Sequence, residues 1–375
     1  MFRLHVVQAA LGDCLLLAFG TAAAPRFVLI DGGPAGTWQA HLRPVLTDVV
    51  GPGGRLDLVM LSHVDNDHVL GLLDLAADVR AERANGDPET VRLGNLWHNS
   101  FARTLDPDGA IATRLAAAMA SAGAAAATMT STGMALQGIG EGNRLRQHAL
   151  ALGVPINGRS LANPKPGGEN TPITPDTLPR ALRLGNLRLK VIGPSQANLD
   201  ALRADWLAWL DAHEDELADP QLAANADRSV PNLSSIIVLA TADGRRLLLT
   251  GDGRGDHILS GLAAAHLLPA SAPLHVDVFK LPHHGSIRNL SAELFDRIIA
   301  DTYVVSADGT HGNPDLETLV LLVDAAHRQG RAIEIVATNR TPSTDALLAQ
   351  RDPAVSGYRL TVMGAGGHRH VVTLA

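Results

Sequence analysis

Four residues able to bind a metal or move a proton fall within residues 63–68: His63, Asp65, Asp67 and His68, in the segment LSHVDNDHVLGL. They directly follow the apolar run RLDLVML. Asp and His are poor strand formers and costly to bury without partners, so a strand ending on them calls for a reason. A metal ion is one. A helix start is the other, because Asp65, Asn66 and Asp67 suit the first turn of a helix, where caps and the dipole favour them. The rest of the chain bears on the choice. Asp252 follows LLLTG, His283 and His284 follow VFKLP, and Asp308 to His311 follow YVVS. Each group stands at the C-terminal end of an apolar run, and loops at one sheet edge converge on one site.

SHVDNDHVLGL, LLTGD and KLPHHGS resemble the metallo-β-lactamase superfamily, and most of all the hydrolase domain of ComEC-type competence proteins and their soluble relatives. GDCLLLAFG, VLIDGG and NLSSIIVLA fit the same pattern, so the resemblance covers roughly residues 1–98 and 232–312. It implies a four-layer αββα sandwich, an α/β (α+β) fold, holding one or two Zn²⁺ or Mn²⁺ ions. It also implies ligands: His63 and Asp65 for one ion, Asp67 and His68 for the second, Asp252 as the bridge, and His284 completing the second site. The commoner family pattern has His where Asp65 stands, and an oxygen ligand there favours Mn²⁺ beside Zn²⁺. Relatives also carry a histidine about two dozen residues before the bridging aspartate, where this chain has PNLSSII with Asn232 and Ser235. The first site is therefore expected to be weaker, or to be completed by Asn232, His98 or water.

Other candidates carry plainer readings beside the functional ones. His98 in LWHNS is a polar strand end or a ligand. His283 packs against or orients His284, or is itself a ligand. His311 in SADGTHGNP is a candidate general acid or phosphate contact. Lys280 is a candidate catalytic cation or the neutraliser of a nearby carboxylate. Asp13 and Asp31 sit in glycine turns, which they either hold or use to orient a ligand. Cys14 reads as a small buried hydrophobe, and His148, His213, His327, His368 and His370 as surface or packing residues.

The elements that must position these residues read as follows. FRLHVVQA, CLLLAFG and RFVLI are consecutive strands. A helix spans residues 41–50, RLDLVML is a buried strand, and a helix runs through HVLGLLDLAADVRA. Residues 100–231 change character. An alanine-rich helix (109–129), a helix over GEGNRLRQHALALG, a Pro/Gly/Thr loop (163–180), a hairpin LRLGNLRLKVIGP and an acidic amphipathic helix (198–218) read as a largely helical insertion or cap on a single domain of residues 1–375. Beyond it come a hairpin turning at Asp243-Gly244, a helix over residues 256–266 and the strand LHVDVFKLP. A helix over 291–299, the strand TYVVSA and a final hairpin near residues 358–374 complete the reading.

Composition is that of an ordinary globular protein, 46% hydrophobic and 18% charged, so a sizeable core can form. The formal net charge of -7 argues against a broad basic footprint for nucleic acid. A local arginine groove from Arg144, Arg146, Arg180, Arg183 and Arg188 would still serve. One cysteine excludes an intramolecular disulfide and fits a reducing compartment. No signal peptide is evident, and no apolar run reaches the ~20 residues of a membrane helix. A cytoplasmic protein is expected, with its oligomeric state open.

Three functions compete. The first is a hydrolase using a metal-bound hydroxide, most of all a phosphodiesterase or nuclease acting on nucleic acid or a nucleotide. Such a nucleophile forms because a cation lowers the pKa of bound water to about 7. The second is a hydrolase of a carboxylic ester, lactone or amide, which the same fold also hosts. The third is a non-enzymatic sensor or partner-binding module.

Overall fold

The computed structural model describes residues 1–114, 131–160, 168–212 and 234–375. Two sheets face each other. The first has six strands in the order β16-β1-β2-β3-β5-β7. Its members are β1 (Phe2–Val7), β2 (Leu15–Thr21), β3 (Ala24–Ile30), β5 (Leu58–Leu61), β7 (Leu96–His98) and β16 (Arg369–Thr373). The second has eight, in the order β15-β14-β13-β12-β11-β10-β9-β8. These are β8 (Leu182–Leu184), β9 (Leu187–Gly193), β10 (Ile237–Ala242), β11 (Arg245–Leu249), β12 (Leu274–Lys280), β13 (Ile298–Val305), β14 (Ile333–Ala337) and β15 (Tyr358–Val362). Short β4 (Gly54–Leu56) and β6 (Val91–Leu93) pair parallel to one side.

Period-two patterning builds the sandwich. Leu15, Leu17 and Phe19 of β2 face Val238 and Ala240 of β10, with Leu247 and Leu249 of β11, across the inner core. The alternate residues Leu16 and Ala18 turn outward onto Val69, Leu72, Leu73 and Ala76 of the helix Asn66–Asn85. On the far side Leu248, Phe279 and Ile335 bury against the helices Gly255–Ala264, Ala292–Arg297 and Leu316–Arg328. The order helix, sheet, sheet, helix is the expected four-layer αββα arrangement. Each fully buried Leu or Phe contributes on the order of 1.5–3 kcal/mol.

Several expectations are refined. The Asp243-Gly244 hairpin forms, both residues having positive φ, as a two-residue turn requires. The hairpin within residues 100–231 also forms, and β9 pairs with β10, so this part of the expected insertion is the edge of the larger sheet. The helices Ser131–Ala151 and Gln196–Ala212 cover the outer face of the smaller sheet. Most of the alanine-rich helix expected over 109–129 lies outside the described residues, as do His213, part of the 163–180 loop and the end of the acidic helix. The C-terminal hairpin does not form. β15 pairs parallel with β14 in one sheet and β16 pairs antiparallel with β1 in the other, because Gly364 to Gly367 carry the chain between layers instead of folding it back. Among the described residues no helix is long and apolar enough to cross a membrane.

Candidate metal centre

The strand ends meet as the sequence pattern requires. β5 delivers Ser62 and His63, and Asp65 begins the helix Asn66–Asn85 that carries Asp67 and His68. Asp65 has extended backbone at the N-cap, but its side chain makes no capping hydrogen bond, so the plain helix-start reading leaves its carboxylate unexplained. β11 delivers Asp252 through Gly251, whose φ is +49. A Cβ on Gly251 would lie 2.8 Å from the Cβ of Ser62, so glycine here lets strand ends of the two sheets touch. β12 delivers His283 and His284, both left-handed at φ 48 and 54. Non-glycine residues pay for that conformation, and here the cost is borne at the point where both rings turn toward Asp252.

The side chains converge on the Asp252 carboxylate, which is 2% exposed. Its Oδ2 lies 3.6 Å from His63 Nε2 and 3.7 Å from His283 Nε2. Its Oδ1 lies 3.4 Å from His68 Nε2 and 3.7 Å from His284 Nε2. Asp65 Oδ2 is 3.4 Å from His63 Nε2, and Asp67 Oδ2 is 3.5 Å from His68 Nε2 and 3.0 Å from His284 Nε2. Ligand atoms of His63, His68 and Asp252 lie within 4.8 Å of one another, as do those of Asp67, His68 and His284. Asp65 and His283 flank these groups.

These separations suit a coordination shell better than a hydrogen-bond network. Hydrogen bonds to nitrogen run about 2.7–3.2 Å. Bonds of about 2.1 Å to a tetrahedral cation place neighbouring ligand atoms about 3.4 Å apart. Among the described residues, the Nε2 atoms of His63, His68 and His284 and Oδ1 of Asp252 are buried with no hydrogen-bond partner. His284 Nε2 nears Asp67 without aligning as a hydrogen bond. Orphaned buried groups of this kind are rare in folded proteins, and a cation satisfies all of them together.

The opposite ring nitrogens are all engaged. His68 Nδ1 meets Asp31 Oδ2 at 2.9 Å, and that carboxylate also accepts from Ser62 N and Ser62 Oγ, both at 2.7 Å. Ser62 Oγ therefore accepts from His63 Nδ1, 3.0 Å away. His284 Nδ1 donates to the Ser306 carbonyl at 2.9 Å. His283 Nδ1 donates to Asn289 Oδ1 at 2.7 Å, and Asn289 Nδ2 donates to the Asp252 carbonyl at 3.0 Å. With the proton held on Nδ1, each ring presents an Nε2 lone pair to the cluster, the tautomer a metal needs.

Two glycine turns fix this outer ring. Gly32 N donates to His68 O and Gly71 N to Gly33 O, and a Cβ on Gly71 would fall 1.9 Å from Gly32 O. The Asp31-Gly32-Gly33 turn thus lies flat on the first turns of the ligand-bearing helix, which sets Asp31 at His68. Asp13 N donates to Asp67 O, and Asp13 Oδ2 pairs with the fully buried Lys280 ammonium at 2.7 Å.

Burial pushes the imidazoles of His63, His68 and His284 down, but the surrounding carboxylates outweigh it and hold all three above their ordinary range. Burial likewise raises Asp252, and the facing histidines more than reverse it, leaving the carboxyl well below its usual range. A field that draws protons this strongly draws a cation for the same reason.

The remaining candidates fall elsewhere. Lys280 is buried and bonds to Asp13 and to the Leu281 carbonyl, so its ammonium is not presented to a substrate. His311 is exposed, and among the described residues no hydrogen bond or ion pair ties it to the cluster. His98 is buried beside Val64 and Gly142, both its ring nitrogens lack hydrogen-bond partners among the described residues, and burial followed by Arg146 lowers its pKa to about 4. Asn232 lies outside the described residues. Sequence reasoning missed Asn289, Ser62 and the Ser306 carbonyl, whose residue types carry no signal of their own. No curated protein sequence matches the chain. Among solved structures, the chain is similar to Zn(2+)-bound PqqB from Methylobacterium extorquens, at 14% identity over 100% of both chains with a TM-score of 0.37. Over residues 26–127, which hold the His63–His68 loop, the chain matches the family model described as the metallo-beta-lactamase superfamily.

Proposed function

We propose that the protein is a metal-dependent hydrolase of the ComEC-like branch, acting on a phosphodiester or nucleotide. The observation that carries this reading is the set of unpartnered Nε2 atoms of His63, His68 and His284 gathered on Asp252. His63 and Asp65 would hold one cation, Asp67, His68 and His284 a second, and Asp252 would bridge them. Charge supports two divalent ions, Zn²⁺ or Mn²⁺. Asp13, Asp31, Asp65, Asp67 and Asp252 bring five carboxylates to the centre, and among the described residues Lys280 is the one ammonium beside them. Bound there, such ions supply an activated water and stabilise charge on the reacting phosphoryl oxygens.

The chain's own groups have distinct tasks. Asp31, Ser62 and the Ser306 carbonyl hold ring protons on Nδ1. Asp67 feels burial pushing its carboxyl up, but His68 and His284 overcome it and hold it far below the usual range, so it serves as an ionised acceptor rather than an acid. Lys280 pairs with Asp13, whose other oxygen lies 3.8 Å from His284 Nδ1, and acts as a positioning residue. His311, exposed on the loop after β13, is the candidate for substrate contact. In this reading residues 1–375 form one domain, with 100–231 as its cap apart from the β8–β9 hairpin that edges the larger sheet, and Cys14 as the single thiol fits the cytoplasm.

A carboxylic ester or lactone is the second reading, and one feature favours it. Val64, next to His63 in the chain, lines a small apolar pocket with Phe101, Leu105, Leu202 and Trp206, with Asn99 and Ser234 as its polar members. Arg144 and Arg146, two of the arginines a nucleic-acid groove would use, are already paired with Glu141 and Glu169. Metal-loaded protein should cleave bis-p-nitrophenyl phosphate and lose that activity on chelation or in Asp252→Ala. Cleavage of p-nitrophenyl esters or lactones alone would favour the second reading. A purified protein that binds no divalent metal would overturn both.

A further inference from the structure

We infer that His283 is the second imidazole of the first metal site and that Asn289 is its positioning residue, an assignment that rests on the metal-centre reading above. The two oxygens of Asp252 face matched surroundings. Oδ1 looks toward His68 and His284, with Asp67 beside them. Oδ2 looks toward His63 at 3.6 Å and His283 at 3.7 Å, with Asp65 beside His63. Each half then holds two imidazoles, one carboxylate of its own and one oxygen of the shared carboxylate. The imidazole that PNLSSII fails to supply is replaced from β12 rather than from the strand before Asp252.

Three features place His283 here for this purpose. Its backbone is left-handed at φ 48, as is that of His284 at φ 54, so two consecutive rings leave the strand end toward one carboxylate. The turn is pinned by His283 N donating to Gly251 O at 3.1 Å, the residue just before Asp252. Asn289 then fixes the ring. Its Nδ2 donates to the Asp252 carbonyl at 3.0 Å, which leaves its Oδ1 as the acceptor for His283 Nδ1, 2.7 Å away. A ring orienting His284 by packing alone would not need its protonated nitrogen assigned by an amide anchored to the bridging residue. His283 Nε2 is consequently a lone-pair donor aimed at the same oxygen as His63.

The test counts ions rather than turnover. Metal-free full-length protein is titrated with Co²⁺ and with Zn²⁺, following the Co²⁺ visible bands and equilibrium metal content. Wild type should bind two equivalents. His283→Asn suits a left-handed backbone and is too short to reach Asp252. It should keep one tight ion and weaken the other at least 10–100-fold, the range seen for loss of a mere outer-shell partner. Asn289→Ala, which leaves the ligand in place, should weaken the same ion by a smaller factor and broaden its Co²⁺ bands. Two ions bound to His283→Asn with unchanged affinity and spectrum would overturn the assignment while leaving the metal-centre reading intact. A wild type that binds no ion would overturn that earlier reading instead. Should His283→Asn not fold, the Asn289→Ala titration decides, and an unchanged first-ion affinity there counts against the assignment.

Discussion

Asp31→Asn isolates the outer ring from the ligands themselves. The Asp31 carboxylate accepts three hydrogen bonds, from Ser62 N on Oδ1 and from Ser62 Oγ and His68 Nδ1 on Oδ2. Ser62 N can only donate, so an asparagine must keep its oxygen at Oδ1 and put its amide at Oδ2. That amide can donate to Ser62 Oγ, which has lone pairs to spare. It cannot share the site with a protonated His68 Nδ1. The ring answers by moving its proton to Nε2, which removes the lone pair aimed at Asp252 and the second ion. Loss of such a partner weakens metal binding about 10–100-fold, or about 1.4–2.8 kcal/mol. In the metal-free protein the charge-assisted bond at His68 Nδ1 is exchanged for a neutral one from the amide, a loss of about 1–1.5 kcal/mol of stability. Competition of the variant against a chelating dye measures the first number, and urea unfolding of the metal-free form the second. A folded Asp31→Asn protein with Zn²⁺ affinity within twofold of wild type would show that tautomer control is not what Asp31 does.

Lys280→Met leaves Asp13 buried without its cation and should cost about 3–5 kcal/mol in urea unfolding, while Lys280→Met with Asp13→Asn should recover much of it; equal losses in single and double variants would count against the pair. His98 is held neutral in the fold, with burial the leading cause and a pKa lowered to about 4 against an unfolded value near 6.5. Its contribution is therefore whole above pH 6.5 and drains as pH falls toward 4, by on the order of 3 kcal/mol. His98→Gln should flatten that acid limb of the stability profile, and an unchanged limb would place the proton uptake elsewhere, His5 being the next such residue.

The ligand loops were legible because their residue types contradict their location. Asp and His at the ends of apolar strands have no packing reason to be there, and four such ends imply one site. The layer order was legible for a similar reason, since strands such as β2, β10 and β11 send alternate residues to two buried faces. His283 was harder. One position from His284 in sequence, it looked like a neighbour's support, and only the left-handed backbone turns both rings to the same carboxylate. Asn289 was invisible, because an asparagine six residues downstream is ordinary until its amide is seen spanning His283 and Asp252. Lys280 was conspicuous as one of three lysines and carried two readings, and its ion pair with Asp13 fits the neutralising one. The C-terminal hairpin failed because two apolar runs around glycines fit a turn and a layer crossing equally well.

The pairing of β1 with β16 bears on how the protein is made. Five of the six strands in the smaller sheet lie before residue 99, and the sixth arrives only with residues 369–373. During synthesis β1 must wait as an open edge, hydrogen-bonded to β2 on one side and to nothing on the other. Waiting edges of this kind are templates for joining other chains, and contacts this distant in sequence slow folding. Arg3 within β1, exposed where its neighbours are buried, sets a charge along that edge. The interval between emergence of β3 and arrival of β16 is then the stage at which a ribosome-bound chain is most open to mispairing. A release-stalled chain lacking only residues 369–375 would be the species to examine for aggregation or chaperone capture.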